Sequence, residues 1–118
     1  MSKSILRDKS YLFAIRIVKL SQYLQVKKKE FILSKQIIRS GTAIGALIKE
    51  AEFGQSKPDF ISKLYIALKE ANEREYWLML LKDTDYITEL EFSSLFKECT
   101  ELIKMLVSSI KTLRSDKS

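Results

Sequence analysis

The chain has 118 residues, with 21 lysines and arginines against 15 aspartates and glutamates, 46% hydrophobic residues, three glycines, one proline and no histidine. That length holds a single domain with one packed core, and so few turn residues predict a few long elements. The missing histidine excludes Ser-His and Cys-His nucleophiles, the commonest general base and the usual ligands of di-iron bundles, so no catalytic residue, metal or cofactor is assigned. The single Cys99 can form no internal disulfide and fits a reducing compartment. The amino-terminal segment has no apolar block before a cleavage site, and Arg16 and Lys19 interrupt its most hydrophobic part. Neither signal peptide nor membrane span is expected, and a cytoplasmic protein is. The charge is uneven: residues 1–57 carry twelve basic and four acidic side chains, residues 58–118 nine and eleven. The basic half is a candidate surface for an anionic partner, although many basic proteins have none.

The first helix is expected over residues 7–26. Phe13, Ile17, Leu20 and Leu24 form one apolar stripe, and Tyr11, Ile15, Val18 and Gln22 form another on nearly the opposite side. One stripe suffices for a helix at the edge of a monomeric bundle, so the second is assigned to a neighbouring subunit, against the plainer reading of stray exposed aliphatics. Lys27, Lys28 and Lys29 follow as a basic connector, a pattern that is most often a solvated loop.

The second helix is expected over residues 30–53, with Leu33, Ile37, Ser40, Ile44, Leu47, Ile48 and Ala51 on one face. Its middle is built of small residues, and two interior glycines, Gly41 and Gly45, each cost up to about 1 kcal/mol relative to alanine. Close approach of another helix backbone explains them; a phosphate loop does not, since no strand precedes them and no Gly-Lys-Ser/Thr follows. Arg39 and Glu50 share a flank about 16 Å apart, so each should meet a charge on another helix or another subunit.

Gly54 marks the end of that helix, and Ser56, Pro58 and Asp59 mark the start of a third over residues 57–82. Phe60, Leu64, Ala67, Leu68, Ala71 and Leu78 make its core face. A second stripe holds Ile66, Glu70, Glu73, Trp77 and Leu81, in which Trp77 is either a subunit anchor or an internal packing residue. Thr88 and Glu91 open the last helix, over residues 88–114, in which Phe92, Leu95, Cys99, Leu102, Leu106, Ile110 and Leu113 repeat in threes and fours. Lys97, Lys104 and Lys111 line its outer side beside Glu98 and Glu101, which favours a solvated face over a nucleic-acid stripe. Four helices of similar length with short connections predict an all-α, antiparallel up-down-up-down four-helix bundle, organised around the hairpin from Phe31 to Leu81.

The segments Arg39-Ser40-Gly41-Thr42-Ala43-Ile44-Gly45-Ala46 and Ile48-Lys49-Glu50-Ala51, then Asp59-Phe60-Ile61, Ile66-Ala67-Leu68-Lys69-Glu70-Ala71, and Glu73 with Tyr76-Trp77-Leu78, resemble the four-helix bundle family. This is also called the 23S ribosomal RNA intervening-sequence protein family. Ala43 stands where that family often has Ser, and Leu47 where it usually has Asn. The resemblance implies a left-twisted bundle that assembles as a homopentamer. The chain is similar also to the accessory variability protein of diversity-generating retroelements, a basic pentameric barrel that binds a reverse transcriptase and nucleic acid.

These readings converge on a non-enzymatic, homo-oligomeric bundle acting as an RNA-binding or ribonucleoprotein accessory factor. Lys27, Lys28, Lys29, Lys35 and Arg39 are the candidate nucleic-acid contacts, and Tyr11, Ile15, Val18, Ile66, Glu70 and Trp77 the candidate oligomer interface. The alternative is a protein-interaction scaffold whose ring holds an acidic or reverse-transcriptase-like protein. A carboxylate-metal enzyme using Glu50, Glu70, Glu73 or Glu75 is the third and weakest reading, because oxygen-only sites need clustered acids.

Overall fold

The computed structural model describes residues 2–52 and 56–115, with side chains over residues 5–50 and 56–115. Four helices follow one another: α1 (Ser2–Lys27), α2 (Leu33–Glu52), α3 (Lys57–Asp83) and α4 (Glu89–Ser115). Ser21 lies against Ser34, and Ile17 and Ser10 against Gly41 and Gly45. Arg39 reaches Glu73 and Lys63 reaches Glu50. Ala71 meets Cys99 while Tyr65 meets Arg114, and Arg16 meets Glu98 while Lys9 meets Glu101. Residue numbers therefore run in opposite senses across every neighbouring pair, and the bundle is antiparallel. It is a rod of 51 × 22 × 20 Å, with α1 and α4 the least closely joined neighbours.

The predicted periodicities bury the expected faces. Phe13, Ile17 and Leu24 of α1, Ile37, Ile44 and Ile48 of α2, Leu64, Ala67, Ala71 and Leu78 of α3, and the Leu95–Ile110 row of α4 share one core. Each large aliphatic side chain removed from water stabilises the fold by roughly 1.5–3 kcal/mol before entropy is counted.

Four local features differ from the sequence expectation. α1 begins at Ser2, more than a turn before Arg7, because Leu6 and Ser10 extend the buried stripe towards the amino terminus. α2 begins at Leu33 rather than Glu30, and Glu30 caps it instead. Its Oε2 accepts from the N–H groups of Ile32 (3.1 Å) and Leu33 (2.8 Å), and its Oε1 from that of Ser34 (2.8 Å). Three donors that no helical carbonyl reaches are thereby satisfied by one carboxylate. Leu81, placed by its spacing on the outer stripe of α3, is fully buried, and so is Arg74.

The helix starts follow the sequence signals. Ser56 Oγ accepts from Asp59 N (3.2 Å) with Pro58 in the first turn, and Thr88 and Glu91 exchange bonds reciprocally at 3.1 and 2.8 Å. Gly54 lies outside the described residues.

Small residues set the α1–α2 spacing. A Cβ on Gly41 would stand 2.5 Å from Ile17 Cγ2 and 3.0 Å from its Cγ1, so glycine is needed there. At Gly45 the nearest atoms, on Ser10, are 3.7 Å away, an ordinary contact.

Candidate nucleic-acid interface and apolar flanks

The α1–α2 turn forms part of one end of the rod. α1 closes with Lys28 and Glu30 donating to Leu24 O at 3.2 and 2.9 Å. Lys29 stands between them at φ 56°, in the left-handed region that glycine adopts freely. Lys27, Lys28, Lys29 and Lys35 are exposed, and no carboxylate among the described residues pairs with them. Lys28 Nζ instead lies 6.0 Å over the Tyr23 ring. The lysines next to the α1 carboxy terminus also face the negative end of its dipole, which favours them even without a ligand.

Arg39, the fifth predicted contact, is placed differently. Its Nη2 donates to Glu73 Oε1 at 2.6 Å and its Nη1 lies 3.7 Å from Glu70 Oε1, so it ties α2 to α3. Glu50 similarly meets Lys63 at 3.3 Å. The partners expected for Arg39 and Glu50 therefore come from another helix of the same chain. Glu75 accepts from Thr100 at 3.0 Å, so of the four carboxylates considered for a metal Glu70 and Glu73 share Arg39 while Glu50 and Glu75 meet other partners.

The six predicted interface residues fall on two flanks of α2. On the α1 side, Tyr11, Ile15 and Val18 line an open groove of about 730 Å³ whose α2 wall includes Thr42, Gly45, Ala46 and Lys49. Tyr11 is 67% exposed. On the α3 side Ile66 is exposed, while Glu70 and Trp77 are half-buried. Trp77 packs against the core with Tyr76 edge-on at 5.0 Å, which fits the internal packing role as well as an anchoring one.

Between the α3 flank and the core lies a group the sequence reading missed. Arg74 is 0% exposed, its guanidinium stacks 4.3 Å over the Phe13 ring, and none of its three nitrogens finds an acceptor among the described residues. Burial pushes its pKa down to about 10, against the opposing pull of Cys99, Glu70 and Glu75. The Cys99 thiol donates to Ala71 O at 3.3 Å, and burial pushes it up to about 11. Glu70 Oε1 and Trp77 Nε1 are likewise buried without a hydrogen-bond partner. Arg74 sits at the i+3 position from Ala71 and i−4 from Leu78, spacing that could have flagged a core position, but its charge argued the other way. Phe31 and Ile32, expected inside α2, stand in the turn before it, both exposed.

No helix among the described residues is long and apolar enough to cross a membrane. No curated protein matches the chain. The crystal structure of a protein of unknown function from the S23 ribosomal protein family of Bacteroides thetaiotaomicron VPI-5482 is similar, at 56% identity over 94% of this chain and 99% of that one, with a TM-score of 0.93. The model of the family described as 23S rRNA-intervening sequence protein matches residues 2–108. With nearly the whole bundle covered by that match, the chain belongs to the 23S rRNA-intervening sequence protein family.

Proposed function

We propose that this chain is a non-catalytic, homo-oligomeric bundle that binds RNA or other nucleic acid through its basic surface, as an accessory factor of a ribonucleoprotein. The observation that carries this reading is the α1–α2 turn, where three consecutive lysines and Lys35 stand exposed with no carboxylate partner among the described residues. Phosphate binding needs cations that are not already neutralised, and Arg39, held by Glu70 and Glu73, contributes less than its charge suggests. The family description, which refers to 23S rRNA, supports RNA as the first ligand to try.

Assembly strengthens the case. The groove around Tyr11, Ile15 and Val18 and the flank around Ile66, Glu70 and Trp77 are different surfaces, as a heterologous, ring-closing interface requires. Five copies, the number the family resemblance implies, would carry about +30 and repeat the lysine turn around the ring, enough for salt-sensitive phosphate binding without base readout.

The test is binding of the purified protein to structured RNA and to duplex DNA of equal length over a salt series. Affinity that falls steeply with salt, with RNA preferred, is the expected outcome. Absence of binding even at low salt would overturn the reading and point to an acidic protein partner on the same ring.

A further inference from the structure

The α1–α2 turn carries more than charge. Phe31 is 51% exposed and Ile32 76%, directly after the three lysines and shortly before Lys35. A ring left in water is usually mobile, but this one stands on fixed backbone. Glu30 N is bonded to Leu24 O on one side, and the Glu30 carboxylate holds the N–H groups of Ile32, Leu33 and Ser34 on the other. Phe31 is thus presented outward from a pinned turn, so little chain entropy remains to be lost when something stacks on it. Tyr23, also exposed, is one helical turn before Lys27 on the same face of α1.

Resting on the nucleic-acid reading above, we infer that this turn is a site for single-stranded nucleic acid, with the Phe31 ring as a stacking surface for an unpaired base and Lys27, Lys28, Lys29 and Lys35 as phosphate contacts. An unpaired base offers a free π-face, and base–aromatic stacking is indifferent to base identity. A duplex keeps its bases stacked on one another, so the ring adds nothing to duplex binding. Lys29 fits the same assignment: it occupies a left-handed position where glycine would be unstrained, and its ammonium is what glycine would lack.

Cations beside exposed apolar side chains also suit an anionic lipid surface. A planar membrane, however, meets the whole end of the rod, including Asp85 and Glu89 around the α3–α4 turn, which it would repel. A strand needs only the lysine side of that end.

The experiment compares wild type, Phe31→Ala, Phe31→Leu, Phe31→Trp and Lys29→Gly by fluorescence anisotropy with a labelled oligouridine and an RNA duplex of equal length at low salt. Phe31 is exposed, so the variants fold, which circular dichroism checks. The strand should bind more tightly than the duplex. Phe31→Ala and Phe31→Leu should each weaken strand binding about tenfold while leaving duplex binding unchanged, and Phe31→Trp should retain it. Lys29→Gly should raise the thermal midpoint yet weaken binding of both ligands. Equal affinity for strand and duplex, or a Phe31→Leu variant that binds the strand like wild type, would overturn this inference while leaving phosphate binding intact. Failure of wild type to bind either ligand overturns both readings. Phe31-dependent binding to phosphatidylserine vesicles, with strand binding independent of Phe31, would assign the turn to lipid instead.

Discussion

Arg74 is a cation at neutral pH with no acceptor among the described residues, enclosed by Phe13 and the α3–α4 core. Stacking on a ring recovers part of the lost hydration, but a buried charge without hydrogen bonds remains costly, and an apolar residue of similar length is usually tolerated better. Arg74→Met should therefore raise stability by about 1–3 kcal/mol, read as a higher urea midpoint at unchanged slope; a lower midpoint would show that the guanidinium holds Glu70 and Glu75 in place. Cys99, beside it, predicts a pH dependence. Its folded-state pKa lies above the ordinary 9.0, at about 11, so the folded chain keeps the thiol proton longer than the unfolded chain does. Its contribution is fully present below pH 9.0 and is lost as pH rises through 11, whereas Arg74, lowered from 12.5 to about 10, stabilises in the opposite direction above pH 10. Cys99→Ala should remove the loss that begins near pH 9.0, a difference of roughly 2 kcal/mol by pH 11 in urea titrations of the two proteins. An identical alkaline decline in both would sink this assignment.

At the scale of elements, the two glycines of α2 separate two explanations that look alike in sequence. Gly41 is required by Ile17, whose branch atoms would all be crowded by a new Cβ. Gly41→Ala should cost about 1–3 kcal/mol, since α1 and α2 must move apart or Ile17 must leave its rotamer. Gly45 has room, so Gly45→Ala should gain up to about 1 kcal/mol of helix propensity within one chain. Because Gly45 also lines the Tyr11 groove, the same change should weaken self-association if a neighbour's side chains seat there. Thermal melts over a range of protein concentrations distinguish the two effects: a concentration-independent rise would mean that the groove receives nothing. The interior spacing of small residues was legible in the chain; which glycine is sterically required was not, because that depends on where one isoleucine of another helix falls. The Glu30 cap was missed for a related reason. A glutamate ahead of a helix start resembles its first residue until its carboxylate is seen to fold back over three amides.

For the whole molecule, the second apolar stripe of α1 predicts assembly. Tyr11 is mostly exposed and contributes little to the monomer core, so Tyr11→Asp should leave the fold intact and release monomers, measured by sedimentation velocity at micromolar concentration. A species of unchanged size would remove the groove from the interface. The four-helix bundle, its core stripes and two of its helix starts were readable because 3.6-residue periodicity and capping chemistry are local, written within a few residues of one another. That no histidine-based site exists was readable from composition alone. What only the tertiary structure decided is which charges are spent. The chain predicts a charged partner for Arg39 without naming it; in the fold Arg39 is held by Glu70 and Glu73, Arg74 is sealed in the core, and Lys27, Lys28, Lys29 and Lys35 have no carboxylate partner among the described residues, around a rigidly presented Phe31. Electrostatic pairing acts between residues distant in sequence and is fixed by how the helices turn towards one another, which no local pattern encodes.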